Sequence, residues 1–182
     1  MSRAFVKEDD AGEPPIIPPR AALPPGTTNY VTPRGLTLLR QELASLEAER
    51  TQAEGDHEDE ANRTRQLTIL KGRISALMAR LASAKVVAPR GQPFDEVRFG
   101  ATVTLQTRRG GKPGQARRFT IVGVDEASAE AGYVAFVAPI ARTLTGARLG
   151  QLVTLRLGSA EEEVEVMTIS YDAGPDIPVE SS

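Results

Sequence analysis

Apolar residues in the first half of the chain recur at steps of three and four positions, the spacing of a helical stripe. The first stripe consists of Leu36, Leu39, Leu43, Leu46 and Ala53, and the second of Leu67, Leu70, Ile74, Leu77, Leu81 and Ala84. Only Arg50 interrupts the first stripe. Stripes this narrow suit two helices that bury each other's seams better than helices packed onto a larger core. The pattern therefore predicts an antiparallel helical hairpin that projects from the rest of the fold.

Local signals predict where the hairpin begins and turns. Thr32 is a favourable N-cap residue, and Pro33 suits the first turn of a helix. An antiparallel pairing of the two stripes, for example Leu46 with Ile74, places the turn near Glu60. A first arm of about 22 residues, rising ~1.5 Å per residue, would project roughly 33 Å.

From residue 101 onward the apolar pattern changes to a period of two, which predicts strands. These strands span residues 101–107, 117–124, 133–137, 151–157 and 163–171. Between the third and fourth strands, the stretch PIARTL predicts a short helix that stops at Gly146. We therefore expect an α+β fold in which a β-rich domain follows the helical hairpin.

Proline and glycine suggest the division of the chain. Residues 1–28 hold six of the 13 prolines and predict a disordered, partly polyproline-like arm, with a proline-rich partner motif as the alternative. Pro89 and Gly91 mark a linker. We therefore expect the hairpin to span residues 29–88, the β-rich domain residues 89–172, and a flexible tail residues 173–182.

Composition limits the class of protein. The 182 residues include no cysteine, so disulfides and thiolate metal sites are excluded. No apolar run is long enough to span a membrane, and the first residues lack the features of a secretory signal. We expect a cytoplasmic protein with no membrane partner. Aromatic residues make up only 4% and include no tryptophan, which argues against a ring-walled ligand pocket.

The net charge of −2 conceals two local patches. Five bases surround a glycine-rich loop between the first two strands: Arg108, Arg109, Lys112, Arg117 and Arg118. The loop is either a solvated turn or a contact for nucleic acid or an acidic surface. Neither interpretation predicts sequence-specific DNA binding, because the sequence contains no recognition helix or zinc module.

The second patch is acidic and falls at the predicted turn of the hairpin. Five acids lie within residues 54–60, around Gly55 and the only histidine, His57. Crowded carboxylates can hold a divalent cation through oxygen ligands. Alternatively they are solvated surface, in which Asp59 and Glu60 oppose the dipole of the second helix. The residues alone leave both interpretations open.

Several motifs, in order, resemble the Gre transcript-cleavage factors. They are Thr32-Pro33, the turn Gly55-Asp56, Ala84-Lys85-Val86-Val87, Phe99-Gly100-Ala101-Thr102-Val103, Ile121-Val122-Gly123-x-Asp125-Glu126 and Pro139-Ile140-Ala141-Arg142-x-Leu144-x-Gly146. The resemblance covers roughly residues 29–171. Ordered motifs across two domains are more specific than any single short pattern. The resemblance implies that the β-rich domain has an FKBP-like fold.

The resemblance also implies a function. A factor of this family docks on bacterial RNA polymerase and inserts its hairpin into the secondary channel, where acids at the tip help the polymerase hold Mg²⁺ and cut backtracked RNA. The chain would then be an accessory factor and not an enzyme, with no cofactor of its own, expected as a monomer that meets nascent RNA indirectly. The implied tip acids are Asp56, Asp59 and Glu60, of which Asp56 and Asp59 would share the Mg²⁺. The implied docking residues are Pro139, Ile140, Arg142, Asp125 and Glu126.

The chain departs from the family pattern in two respects that bear on function. Asp59 stands where the family has glutamate, and Glu60 replaces an asparagine. Each arm of the hairpin also looks about two helical turns shorter. A channel-binding regulator or inhibitor without cleavage activity is therefore an alternative function. An FKBP-type peptidyl-prolyl isomerase is a more distant one.

Overall fold

The computed structural model describes residues 14–55 and 59–171, except for the side chain of Leu157. A helical hairpin precedes a β-rich domain built on a mixed, five-stranded sheet. The predicted α+β class is therefore confirmed. Among the described residues, no helix has the length and apolar character needed to cross a membrane.

The hairpin consists of α1, Pro33–Gly55, and α2, Glu60–Ala82. Thr32 caps α1 as predicted, since its Oγ1 accepts a hydrogen bond from the Gly35 amide at 2.8 Å. The predicted turn near Glu60 agrees with the helix bounds, because α1 ends at Gly55 and α2 begins at Glu60. The seam between the helices buries Leu39, Leu46, Ala53, Leu70, Ile74 and Leu77.

Two short strands join the base of the hairpin. β1, Tyr30–Val31, pairs in parallel with β2, Lys85–Val86, so that the chain entering α1 lies beside the chain leaving α2. A Cβ on Gly123 of the β-rich domain would lie 2.8 Å from the Tyr30 carbonyl oxygen. The close approach of these backbones therefore requires glycine at this position.

The β-rich domain contains β3, β4, β5, α3, β6 and β7, which span Thr102–Arg109, Ala116–Val122, Tyr133–Ala135, Pro139–Leu144, Leu152–Leu157 and Ala160–Ser170. The order across the sheet is β5-β4-β3-β7-β6. Only β4 and β5 run in parallel, and the other neighbours are antiparallel. The five predicted strands and the short helix are confirmed, and Gly146 ends α3 with φ of 88°.

The apolar core consists of two separate clusters. One contains hairpin residues together with Val31 and Ala84 at its base, and the other contains residues of the β-rich domain between Val97 and Tyr171. Tyr171 closes the second cluster, where its hydroxyl accepts from the Arg98 amide and donates to the Glu96 carbonyl. Because the two clusters are separate, the contacts at the base of the hairpin decide how the two parts are joined.

The arm predicted over residues 1–28 has neither helix nor strand within its described part, residues 14–28. The expectation of a disordered arm nevertheless needs correction around Arg20. This side chain is only 18% exposed and forms salt bridges with two distant acids. The arm is held there because the Arg20 guanidinium pairs with the carboxylates of Glu42 and Asp125.

Candidate functional site

The distal end of the hairpin carries two adjacent carboxylates at the start of α2. Asp59 is the N-cap residue, and its Oδ1 accepts a hydrogen bond from the Asn62 amide at 2.9 Å. The Glu60 side chain is 88% exposed and lies 3.9 Å from Arg63. Both acids oppose the positive end of the α2 dipole. The end of the hairpin is therefore acidic and exposed, although one Asp59 oxygen already holds the helix.

Asp56, the remaining predicted tip acid, lies outside the described residues, as do His57 and Glu58. Within residues 14–55 and 59–171, no group of three or more histidine, cysteine, aspartate or glutamate side chains could hold a metal ion. Asp59 and Glu60 alone cannot complete the octahedral shell of Mg²⁺. The assignment of a shared Mg²⁺ to Asp56 and Asp59 therefore stays a prediction.

At the base of the hairpin, Glu126 ties the N-terminus of α1 to the β-rich domain. Its Oε2 accepts from the Thr32 hydroxyl at 2.5 Å, and its Oε1 accepts from Arg34 Nη1 at 2.7 Å. A Cβ on Gly35 would lie 2.7 Å from Glu126 Oε2, so glycine leaves room for this carboxylate. Arg34 also lies over the Tyr133 ring, 4.5 Å from its centroid. Glu126 is therefore a structural link and faces the positive end of the α1 dipole.

Asp125, its neighbour, forms ion pairs with two arginines, of which only Arg20 is also aligned for hydrogen bonds. Arg80 Nη1 of α2 lies 3.1 Å from Asp125 Oδ2, and Arg20 Nη2 of the arm donates to Oδ1 at 2.9 Å. Arg20 also makes paired hydrogen bonds of 2.8 and 2.9 Å with Glu42 of α1. The pairing with Arg20 lowers the pKa of Glu42, although burial acts in the opposite direction. We call Arg20, Glu42, Arg80 and Asp125 the basal network.

These contacts argue against Asp125 and Glu126 as docking residues, although that assignment stays a prediction. Their side chains are only 8% and 3% exposed, and each is paired within the chain. Drawing Asp125 into an intermolecular contact would leave the largely buried charges of Arg20 and Arg80 less compensated, which is unfavourable. The two acids join the hairpin to the β-rich domain instead.

The other three predicted docking residues lie together on α3. Ala141 and Leu144 turn into the core, whereas Pro139 and Arg142 are exposed. Ile140 is partly buried against the same core. The structure therefore places these three residues on one short helix, and their contact with a partner stays a prediction.

Aromatic residues fill space between and within the two parts of the molecule. Tyr30, Phe99 and Phe136 form a cluster with ring centroids 5.6 to 5.7 Å apart. Phe119 and Tyr171 are buried in the core of the β-rich domain. These rings pack against each other and against aliphatic side chains, which favours a core role over a ring-walled pocket.

The basic loop between β3 and β4 is partly neutralised within the chain. Arg108 lies 2.6 Å from Glu165, and Arg117 lies 2.6 Å from the buried Glu162. Glu162 also accepts a hydrogen bond from the Thr107 hydroxyl. That hydrogen bond, followed by the pairing with Arg117, lowers the pKa of Glu162 although burial tends to raise it. These contacts favour the solvated-turn interpretation for this part of the loop.

Sequence patterns did not reveal the basal network. Glu42 and Arg80 fall at polar positions beside the leucine stripes, where charged side chains are ordinary. Arg20 offers a weak signal, because it is the only base among the prolines and alanines of residues 14–28. Only the fold shows that these charges meet.

Comparison with known proteins agrees with this architecture. The family model "Transcription elongation factor, GreA/GreB, C-term" matches residues 92–171. The chain is 33% identical over 160 residues to a transcription elongation factor GreA of Ralstonia nicotianae, covering 80% of this chain and 99% of the relative. It is also 33% identical over 159 residues to a GreB of Neisseria meningitidis, covering 80% and 95%.

Among solved structures, the GreA factor homolog 1 (Gfh1) of Thermus thermophilus is similar at 18% identity and a TM-score of 0.36. The match covers 79% of this chain and 99% of that one.

Proposed function

The chain belongs to the GreA/GreB family of transcription elongation factors, and from this premise we propose that it enters the secondary channel of bacterial RNA polymerase and stimulates cleavage of backtracked transcripts. The factor itself would make no covalent bond with RNA. Its contribution would be to deliver acidic side chains to the catalytic centre of the polymerase.

The observation that carries this proposal is the pair of exposed carboxylates, Asp59 and Glu60, at the far end of a hairpin with its own core. Each helix has 23 residues, which corresponds to about 35 Å at 1.5 Å per residue. A rod of this length can enter a channel that the β-rich domain cannot. The acids at its end are then the groups that arrive first.

Each part of the chain has a role in this proposal. Glu60 would offer carboxylate oxygen to a cation held mainly by the polymerase, and the Asp59 oxygen not used for capping could do the same. Bound there, Mg²⁺ would polarise the scissile phosphate and generate a nucleophilic water. The surface of Pro139, Ile140 and Arg142 would dock on the polymerase outside the channel. The base of the hairpin would set the direction in which the rod points.

The proposal is tested with a stalled, backtracked polymerase complex, in which shortened transcripts report cleavage. The double variant Asp56→Ala, Asp59→Asn removes two acids while keeping an N-cap residue at position 59. We expect cleavage to slow by at least about tenfold, equivalent to about 1.4 kcal/mol of lost transition-state stabilisation. Glu49→Gln, an exposed acid nearer the middle of the hairpin, is the matched control and should cleave as the parent does. Equal cleavage by the parent and the double variant would contradict the proposal.

A channel-binding regulator without cleavage activity is the second candidate, and one observation favours it. One oxygen of Asp59 already accepts a hydrogen bond that caps α2, so fewer carboxylate oxygens at the tip are free to bind a cation than the number of acids suggests. Binding to polymerase without transcript shortening would identify this function. Inserting seven residues in each helix at matched heights moves the tip outward by about 10 Å while preserving the seam. Cleavage gained only after this insertion would show that the parent hairpin is too short.

A further inference from the structure

We propose that the N-terminal arm braces the hairpin against the β-rich domain, and that Arg20 is the positioning residue of this brace. The brace itself is a property of the isolated protein. Its consequence for transcript cleavage rests on the function proposed above.

Arg20 bonds to two parts of the molecule with one guanidinium group. Its Nη1 and Nη2 each donate to one oxygen of Glu42 on α1, at 2.8 and 2.9 Å. Its Nε and Nη2 both donate to Asp125 Oδ1, at 3.1 and 2.9 Å. The side chain is 18% exposed, so solvent screens these contacts only in part. A planar fork with several donors suits this bridging, which a lysine could not reproduce.

Arg80 connects the second helix, α2, to the basal network. Its Nη1 lies 3.1 Å from Asp125 Oδ2, and its Nη2 donates to the Ala21 carbonyl of the arm at 2.6 Å. The basal network therefore contains two positive and two negative charges, drawn from the arm, α1, α2 and the segment after β4. Removing Arg20 would leave two acids facing one arginine, which weakens the joint.

The path of the arm agrees with a brace. The side chain of Ile17 packs where Gly72 of α2 has no Cβ, and four residues later the Ala21 carbonyl meets Arg80. Four residues of extended, polyproline-like chain span about 12 Å. Eight helical residues, from 72 to 80, also span about 12 Å. The arm thus lies extended along α2 between these contacts, and Pro18 and Pro19 reduce the entropy that ordering it costs.

Small rotations at the base have large effects at the tip. Among the described residues, the hairpin buries its own core and meets the β-rich domain near its base, through β1, the aromatic cluster and the contacts of Asp125 and Glu126. For a rod of about 35 Å, a tilt of about 10° moves the distal end by roughly 6 Å. Displacements of about 1 Å can already impair a catalytic arrangement. The further attachment through the arm would limit this tilt.

The orientation can be measured directly because the chain has no native cysteine. Spin labels at Thr68→Cys on α2 and Thr154→Cys on β6, both exposed positions, report the distance between the two parts by pulsed electron resonance. We expect a narrow distance distribution in the labelled parent and a broader one in Arg20→Ala. Glu42→Gln, which keeps the size of the side chain, should broaden it as well. Arg40→Ala, the loss of an exposed arginine on α1, is the matched control and should not.

Transcript cleavage provides the second readout. With the docking surface unchanged, Arg20→Ala should lower the maximal cleavage rate by about tenfold while leaving the half-saturating concentration nearly unchanged. The brace would be overturned if the distance distribution of Arg20→Ala were as narrow as that of the parent. Faster cleavage by Arg20→Ala would also overturn it, because the arm would then mask the hairpin. If the parent fails to stimulate cleavage, the proposed function fails, but the distance measurement still decides whether the arm is a brace.

Discussion

Asp59 shows how a single side chain can combine a local structural task with a chemical one. Its carboxylate caps α2 through the Asn62 amide and also places negative charge at the exposed end of the hairpin. Asparagine caps a helix about as well as aspartate but carries no charge. The two tasks can therefore be separated by substitution.

We expect Asp59→Ala to lower the free energy of unfolding by about 1 kcal/mol, because the Asn62 amide loses its partner at the helix end. Asp59→Asn should remain close to the parent in urea denaturation. If both variants lose the same stability, charge and not capping is what Asp59 contributes to the fold.

Glu162 is a buried acid whose titration should affect stability. Its folded-state pKa is lowered, first by the Thr107 hydroxyl and then by Arg117, so its usual pKa of 4.5 is higher than its value in the native protein. A lowered carboxylate pKa stabilises the folded state above the usual pKa. That contribution is lost as the pH falls through the folded-state value.

The stability advantage of the parent over Glu162→Gln should therefore shrink as the pH is lowered from about 7 to about 2. Urea denaturation at a series of pH values measures it. Glu161→Gln, an exposed acid on the same strand, is the matched control. If the stability difference between the parent and Glu162→Gln did not change with pH, the shape of the Glu162 side chain and not its charge would stabilise the fold.

At the scale of elements, periodic patterns predicted nearly all of the regular structure. The stripes around Leu46 and Ile74 became α1 and α2, and the alternating segments became β3 to β7. β1 and β2 were not predicted, because strands of two residues are too short to show a period. The attachment of the arm was also missed, since it depends on contacts with α2 and not on a pattern within the arm.

The packing of Ile17 at Gly72 gives a test of that attachment. Alanine in a helix is favoured over glycine by about 0.5 to 1 kcal/mol. A Cβ at position 72 would, however, displace the Ile17 side chain. We expect Gly72→Ala to stabilise the protein by less in the parent than in an Ile17→Ala background, as measured by a double-mutant cycle in urea. An equal gain in both backgrounds would show that the arm does not rest on α2 in solution.

At the scale of the whole molecule, the motif around residues 121–126 joins two independently packed parts. Gly123 admits the Tyr30 carbonyl, while Asp125 and Glu126 bind the arginines and Thr32 at the base of the hairpin. Residues 121–126 of the β-rich domain thus form the contact surface for the base of the hairpin. This explains why acids that look like surface groups in the sequence are almost fully buried.

Gly123→Ala should weaken this joint, because the new Cβ would lie 2.8 Å from a backbone oxygen that cannot move alone. We expect a loss of about 1 to 3 kcal/mol in the free energy of unfolding, as for other overpacked sites. Gly55→Ala, where an added Cβ meets nothing within 4 Å, is the control and should be neutral or slightly stabilising. Equal behaviour of the two variants would argue against a tight joint at Gly123.

By itself, the sequence determined the elements: the capped helices, the alternating strands, the short helix before Gly146 and the acids beside the turn. These features depend on neighbours within a few residues, where spacing and local hydrogen bonds decide the outcome. Only the tertiary structure decided what the isolated charges do. Arg20 and Asp125 are 105 positions apart, and no local sequence pattern predicts their contact. Long-range pairing of charges depends on how whole elements pack, which is why the joint appeared only in the folded molecule.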